Sequence, residues 1–132
     1  MLKVLMVDDE QDFLKIMQAR VASWGHKCVC AGSGKEGIAI FTKESPDAII
    51  LDYMMPGMDG IAVLKEIRKL DQKVPVVMLT AFPDGRSIKG SSELGIAAFI
   101  PKIGMYTDVQ FSLEAALNLI EKEKDKDKGK KA

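Results

Sequence analysis

Five short apolar runs alternate along the chain with segments whose apolar residues recur at helical spacing. The runs cover residues 2–7, 27–31, 48–51, 74–79 and 96–100. The third run is apolar throughout, as is usual for strands that are buried on both faces of a parallel sheet. Connections between parallel strands are right-handed crossovers, which place helices on the faces of the sheet. The alternation therefore predicts an α/β protein with a doubly wound, five-stranded parallel sheet.

Helices are predicted between and after these runs, at residues 13–24, 33–41, 60–70, 84–94 and 107–122. Ser33 and Glu36 have the spacing of a capping box, which marks the start of the second helix. The fourth helix is weak, because it contains two glycines and only Ile88 and Leu94 are available to bury. Each interior glycine costs a helix about 1 kcal/mol relative to alanine. We expect this helix to be short, frayed or mobile.

Length and charge exclude several classes of protein. The length of 132 residues fits one domain, since single domains most often have about 100–150 residues. The 19 basic and 19 acidic residues cancel, so no direct binding of nucleic acid is expected. The first apolar run ends at Asp8 and is far short of the roughly 20 residues of a membrane helix. We expect a cytoplasmic protein with no membrane segment, in which Cys28 and Cys30 are reduced core residues.

The end of the chain has a different composition. Residues 121–132 contain six lysines and four acidic residues in near alternation, and their single apolar residue is Ala132. Such a segment has nothing to bury, so we expect it to extend the last helix by about one turn and then fray. The predicted domain therefore covers residues 1–121, and residues 122–132 are predicted to be a charged, disordered tail or a truncated linker.

Polar residues follow the apolar runs at one edge of the predicted sheet. Asp8 and Asp9 follow the first run, Asp52 the third, Thr80 the fourth, and Lys102 the fifth. The carboxyl ends of parallel strands meet at the edge where such folds bind ligands. Clustered carboxylates repel one another unless a cation joins them, and Mg²⁺ prefers carboxylate and phosphate oxygens. The pattern predicts a phosphoryl-transfer site with a carboxylate nucleophile. The alternative is that the aspartates merely cap the following helices.

Four segments together resemble the receiver domains of two-component response regulators, the CheY-like family. They are Val7–Glu10 (VDDE), Leu51–Gly60 (LDYMMPGMDG), Leu79–Ala81 (LTA) and Phe99–Lys102 (FIPK). The resemblance extends from Leu2 to about Glu121. It implies a flavodoxin-like (βα)5 fold with strand order 2-1-3-4-5. It also implies a signalling domain, not an enzyme, whose chemistry is limited to its own phosphorylation and dephosphorylation.

The resemblance assigns a role to each carboxylate. It implies that Asp52 accepts a phosphoryl group from a sensor histidine kinase, from a phosphotransfer protein, or from a small donor such as acetyl phosphate. It further implies that Asp9 and Asp52 bind Mg²⁺ directly, together with the backbone carbonyl of Met54. By the same resemblance, Asp8 acts on the metal through water.

The resemblance also implies a switch. Thr80 and Lys102 would contact the phosphoryl oxygens, and Phe99 would enter the space that the Thr80 side chain leaves. The surface that changes would be that of the fourth helix, the fifth strand and the fifth helix, which would bind an unknown downstream protein or a second copy of the chain. Ile103 follows Lys102 where the family usually has proline, so a trans peptide bond is expected there.

Other interpretations are weighed against this one. Residues 32–35 (GSGK) suggest a P-loop, but that motif needs glycine where Val29 stands and Ser or Thr where Glu36 stands. His26 is the single histidine and is expected at the surface, so the chain is not a phosphohistidine carrier. The alternative function is an interaction module that has the receiver fold and works without phosphorylation. Mg²⁺-dependent binding of beryllofluoride, a phosphoryl mimic, would distinguish the two functions.

Overall fold

The computed structural model describes residues 1–131, with side chains described for residues 1–126. Within this range, five strands alternate with five helices. They are β1 (Lys3–Val7), α1 (Gln11–Ser23), β2 (Lys27–Ala31), α2 (Gly34–Glu44), β3 (Ala48–Asp52), α3 (Gly60–Leu70), β4 (Val76–Thr80), α4 (Gly85–Glu93), β5 (Ala98–Pro101) and α5 (Tyr106–Lys131). The strands are all parallel and stand in the order β2-β1-β3-β4-β5. The predicted fold class and strand order are confirmed.

The sheet separates two apolar layers, because successive side chains of a strand point to opposite faces. On β1, Val4 and Met6 belong to the layer that contains the buried faces of α1 and α5. Leu5 and Val7 belong to the layer that contains the buried residues of α2 and α3. Every residue of β3 and β4 is buried. These two strands therefore form the buried centre of the sheet, and their backbones fix where the Asp52 and Thr80 side chains begin.

Helix α4 forms in spite of its weak sequence. The backbone N–H of Ser87 donates a hydrogen bond to Asp84 Oδ1 at 2.7 Å, and the backbone N–H of Asp84 donates one to Ser87 Oγ at 3.1 Å. This capping box fixes the start of the helix. Ser87 and Ser91 then face the domain and are buried, whereas Ile88 is 46% exposed. The expectation that Ile88 is buried is wrong, because the cap sets the rotation of the helix.

Helix α5 is longer than predicted. The sequence predicts a helix at residues 107–122 that frays after about one more turn, but the helix runs from Tyr106 to Lys131. Ion pairs hold its later turns to the domain: Lys124 Nζ lies 2.7 Å from Asp47 Oδ1, and the amino terminus lies 2.7 Å from Glu121 Oε2. Lysine and glutamate also favour helix formation. The division of the chain at residues 121 and 122 stays a prediction.

His26 is buried, so its predicted surface position is wrong. Its Nδ1 accepts a hydrogen bond from the backbone N–H of Leu2 at 3.0 Å. This N–H lies directly before β1, and the imidazole supplies its acceptor. Cys28 and Cys30 are partly buried and pack against the layer that contains α1, as predicted. Among the described residues, no helix is both long and apolar enough to cross a membrane.

The guanidinium of Arg68 joins two loops at the amino end of the sheet. Its N–H groups donate hydrogen bonds to the backbone carbonyls of Leu94, Gly95, Asp71 and Val74, at 2.9, 2.6, 3.1 and 2.9 Å respectively. The first two carbonyls precede β5, and the other two precede β4. Partial burial lowers the pKa of Arg68, and the charge of Asp71 opposes this shift. One side chain therefore fixes the entry of the chain into two adjacent strands.

Replacing Arg68 with methionine is expected to lower the free energy of unfolding by about 2 kcal/mol, because charged hydrogen bonds are lost and several carbonyls are left without a donor. Urea denaturation measures the change. The matched control is Lys69→Met, since the Lys69 amine is exposed and pairs with Glu66 on the same helix. Exposed pairs of this kind contribute about 0.5 kcal/mol or less. Equal losses in the two variants would contradict the role assigned to Arg68.

Candidate functional site

Three carboxylates meet at the carboxyl edge of the sheet. Asp52 is the last residue of β3, and Asp8 and Asp9 follow β1 directly. One oxygen from each of the three carboxylates lies within 4.8 Å of the others. Asp8 and Asp52 are buried, whereas Asp9 is exposed. The backbone N–H of Asp8 donates a hydrogen bond to the carbonyl of Ala31, so the end of β2 fixes the position of this cluster.

Lys102 enters the cluster from the loop after β5. Its backbone N–H donates a hydrogen bond to the Thr80 carbonyl at 2.6 Å, which fixes the start of the side chain. Lys102 Nζ lies 2.8 Å from Asp8 Oδ2, 2.8 Å from Glu10 Oε1 and 3.8 Å from Asp52 Oδ2. The same ammonium stands 4.2 Å from the centroid of the Phe13 ring. In this arrangement the lysine contacts Asp8 and Glu10 more closely than it contacts Asp52.

The carboxylates are not fully neutralised by the lysine. Burial, and then the charge of Asp8, raise the pKa of Asp52 to about 7, although the charge of Lys102 opposes the shift. Burial also raises the pKa of Asp8, although its hydrogen bond from Lys102 opposes this. Burial lowers the pKa of Lys102, but the hydrogen bonds to Asp8 and Glu10 outweigh burial and raise it. The site therefore has an excess of buried negative charge, which favours binding of a cation.

The remaining predicted residues lie on neighbouring strands and loops. Thr80 ends β4 and is buried, and its Oγ1 accepts a hydrogen bond from the backbone N–H of Phe82 at 3.2 Å. Phe99 pairs in register with Met78 of β4 and packs, half-buried, against the layer that contains α3. The Met54 side chain is half exposed, and its backbone N–H lies 3.4 Å from Asp52 Oδ1. Of these residues, Met54 contacts Asp52 through its backbone, and Thr80 ends the strand next to β3.

The peptide bonds near the site are ordinary. No cis peptide bond occurs between residues 1 and 131, so the bond between Lys102 and Ile103 is trans, as the sequence predicts. Gly104 follows with a φ of 84°, a conformation that glycine adopts without a steric penalty. The loop after β5 therefore turns at Gly104, not at the residue after the lysine.

The start of α3 packs directly against the end of β3, which carries Asp52. The backbone N–H of Gly60 donates a hydrogen bond to the Tyr53 carbonyl at 2.7 Å. Asp59 caps the helix, since its Oδ1 accepts a hydrogen bond from the backbone N–H of Ala62 at 2.8 Å. A Cβ atom at position 60 would lie 2.7 Å from the carbonyl oxygen of Asp52. The glycine is therefore required for the helix to approach the end of β3 this closely.

Two residues of the site were not predicted. The Glu10 carboxylate contacts Lys102, and the Phe13 ring lies under the same ammonium group. Glu10 follows the aspartate pair directly, so its position in the sequence gave a signal. Nothing in the sequence indicated that Phe13 would contact a residue 89 positions away, because its spacing is that of an ordinary core residue.

Comparisons with known proteins agree with the fold and the site. Doubly wound α/β domains with carboxylates at the carboxyl edge of the sheet form a general class of protein. Within it, the sequence model of the response regulator receiver domain matches residues 4–110. The chain therefore belongs to the response regulator receiver domain family.

Several relatives and solved structures are similar to the chain. It is 40% identical over 115 residues to the probable transcriptional regulator ycf27 of Guillardia theta, over 87% of this chain and 45% of that protein. It is 34% identical over 100 residues to sporulation initiation phosphotransferase F of Bacillus subtilis (strain 168), over 76% of this chain and 81% of that protein. A receiver domain protein from Clostridium thermocellum has a TM-score of 0.78 and 28% identity, over 92% and 98% of the two chains.

These relatives differ in length. The chain spans about half of the ycf27 regulators that it matches, since it covers 41% to 50% of them. It spans most of sporulation initiation phosphotransferase F and 98% of Vibrio cholerae chemotaxis protein CheY4, with which it has 25% identity and a TM-score of 0.79. Receiver domains are signalling domains that are not enzymes in the usual sense.

Proposed function

We propose that the chain is a phosphorylation-switched signalling domain in which Asp52 accepts a phosphoryl group. The observation that carries this proposal is a buried carboxylate flanked by two further carboxylates, Asp8 and Asp9, and by the buried amine of Lys102. Family membership and the similarity to a protein named a phosphotransferase support it. The donor would be a sensor histidine kinase or a phosphotransfer protein, or a small molecule such as acetyl phosphate.

Mg²⁺ is the proposed cofactor, because the three carboxylates supply the hard oxygen ligands that this ion prefers. Asp9 and Asp52 would bind it directly, together with the backbone carbonyl of Met54, and Asp8 would act through water. The ion would neutralise the repulsion between Asp52 and the oxygens of an incoming phosphoryl group. Asp9 is exposed, which leaves a path by which the ion can enter the buried cluster.

The proposed chemistry is a direct transfer to Asp52. The unprotonated carboxylate of Asp52 attacks phosphorus, and the bond between phosphorus and the donor's nitrogen or oxygen breaks. The Thr80 hydroxyl and the Lys102 amine then contact the oxygens of the bound phosphoryl group. Lys102 has to move first, because its amine contacts Asp8 more closely than it contacts Asp52. The Thr80 oxygen accepts the Phe82 N–H, which leaves its own O–H free to donate. Loss of the group by hydrolysis resets the domain, so the chain acts on itself alone.

The proposed output is a change of surface. A phosphoryl group adds about −1.5 to −2 charges and three strong acceptors to Asp52. Movement of Thr80 toward it would open space for Phe99, which lies on the adjacent strand. Helices α4 and α5 also carry exposed apolar side chains, among them Ile88 and Phe111. We propose that this face of α4, β5 and α5 binds a downstream protein or a second copy of the chain.

Incubation with acetyl phosphate and Mg²⁺ is expected to add one phosphoryl group to the wild-type chain and none to Asp52→Ala, as measured by intact mass. The matched control is Asp59→Asn, because Asp59 is a nearby exposed aspartate and asparagine also caps a helix. The control should take up one group. Absence of uptake by the wild type, together with no Mg²⁺-dependent binding of beryllofluoride, would overturn the proposal and favour an interaction module that works without phosphorylation.

A further inference from the structure

Glu10 shares the lysine of the site with the carboxylates of the cluster. Lys102 Nζ is as close to Glu10 as to Asp8, at 2.8 Å, and 1 Å farther from Asp52. The Lys102 side chain is 6% exposed, whereas that of Glu10 is 55% exposed. Glu10 also lies outside the group of three carboxylates that could hold a metal ion. It therefore holds the amine from the solvent side, away from the acceptor.

The local structure explains why Glu10 reaches the lysine. Glu10 occupies the N-cap position of α1, but its side chain makes no capping hydrogen bond to that helix. Its backbone N–H donates a hydrogen bond to Asp8 Oδ1 at 2.9 Å, which fixes the backbone beside the cluster. The longer side chain of glutamate is then free to extend across to Lys102. On another side of the ammonium lies the Phe13 ring, so the amine is held between an aromatic face and two carboxylates.

We propose that Glu10 is a positioning residue that holds Lys102 away from Asp52 until a phosphoryl group arrives; this inference rests on the proposed function. Lys102 gives up its contact with Glu10 when it donates to the phosphoryl oxygens. The released carboxylate is already half in solvent and is readily hydrated. In the released arrangement, Lys102 no longer contacts Glu10. If a ligand binds only this arrangement, its apparent affinity is its intrinsic affinity multiplied by the fraction of molecules that have the arrangement. Glu10 therefore sets how readily the site accepts and keeps a phosphoryl group.

The test is the affinity of the full chain for beryllofluoride at saturating Mg²⁺, measured by calorimetry. Glu10→Gln removes the charge that holds the lysine. It is expected to bind beryllofluoride about fivefold more tightly than the wild type does, which corresponds to about one wild-type molecule in five having the released arrangement. Glu10→Asp keeps the charge, but its shorter side chain cannot reach as far and favours the N-cap. It is expected to bind more tightly as well.

The matched control is Asp12→Asn, which removes one negative charge from the first turn of α1. Its affinity for beryllofluoride is expected to stay within about twofold of the wild type, because charge alone does not release Lys102. Mg²⁺ affinity without beryllofluoride gives a second measurement. Glu10→Gln should bind Mg²⁺ no more tightly than the wild type, because it has lost a nearby negative charge. Loss of a merely structural residue would not strengthen the binding of beryllofluoride while leaving the binding of Mg²⁺ no tighter.

Three outcomes would overturn the inference. One is that Glu10→Gln binds beryllofluoride no more tightly than the wild type does, and another is that Asp12→Asn gains as much affinity. In both cases the wild type still binds the mimic, so the proposed function stands while the role of Glu10 falls. The third is that the wild type does not bind beryllofluoride even with Mg²⁺. That result would remove the proposed function itself, and the positioning role with it.

Discussion

Replacing Asp52 with asparagine is expected to stabilise the metal-free protein by about 2 kcal/mol more at pH 8 than at pH 5. The cause is the cost of a buried negative charge. Burial, followed by the charge of Asp8, raises the pKa of Asp52 to about 7 in the folded protein, against 3.8 as its ordinary value. The carboxylate is therefore destabilising in the folded state wherever it is ionised, and asparagine does not ionise.

The direction of the pH dependence follows from proton binding. The folded protein binds a proton at Asp52 more tightly than the unfolded chain does, because the pKa of Asp52 is higher in the folded state. At a pH below both pKa values, Asp52 is protonated in both states and its ionisation does not affect stability. As the pH rises from about 4 to about 7, the wild type progressively loses stability, and above pH 7 the full loss is present. The variant lacks this loss. Urea denaturation with a chelator present, at several pH values between 5 and 8, measures the difference.

Two further measurements test the cause. Asp59→Asn is the matched control, since Asp59 is an exposed aspartate beside the same loop, and its effect should not grow over this pH range. Mg²⁺ should stabilise the wild type more than Asp52→Asn, because a ligand that binds the folded state stabilises it more when its affinity is higher. A difference between wild type and Asp52→Asn that stays constant from pH 5 to pH 8 would contradict the account of Asp52 as a costly buried charge.

The fold could be predicted from the sequence because each element carried its own signal. The boundaries of β2 and α3 agree with the structure, since β2 is a short run bounded by turn residues and α3 has apolar residues on one face. Predictions based on burial of single residues were less successful. Ile88 is exposed, because a capping box formed by Asp84 and Ser87 decides how α4 is rotated. His26 is buried because a backbone N–H needs an acceptor, and the sequence does not show such a need.

The site could be predicted as a set of residues but not as an arrangement of contacts. The topology alone brings Asp8, Asp9, Asp52, Thr80 and Lys102 to one edge, because each of them ends or follows a parallel strand. Which carboxylate the lysine contacts depends on loop conformation and on side chains that are far apart in the sequence. Lys102 contacts Asp8 and Glu10, which lie 94 and 92 residues before it. Sequence spacing does not show which of these contacts is shortest. The structure was therefore needed to show that Lys102 lies closer to Asp8 and Glu10 than to Asp52.

Replacing Gly60 with alanine is expected to lower the free energy of unfolding by about 3 kcal/mol, in the range of substitutions that overpack a core. A Cβ at position 60 would lie 2.7 Å from the Asp52 carbonyl oxygen, 2.7 Å from Tyr53 Cα and 3.0 Å from Met78 Sδ. Two of these atoms belong to the backbone, so neither can rotate away. Either α3 moves outward or the end of β3, which carries Asp52, shifts. Urea denaturation measures the loss.

Gly85→Ala is the matched control, because Gly85 also begins a helix, α4, and a Cβ there would meet nothing within 4 Å. Its effect should stay within about 1 kcal/mol and can be stabilising, since alanine reduces the entropy of the unfolded chain. Phosphoryl uptake from acetyl phosphate should also fall in Gly60→Ala and not in Gly85→Ala, under conditions where both variants are folded. Equal stability of the two variants would show that α3 can withdraw from β3 freely. Reduced uptake with unchanged stability would instead place the role of Gly60 in the geometry of Asp52 alone.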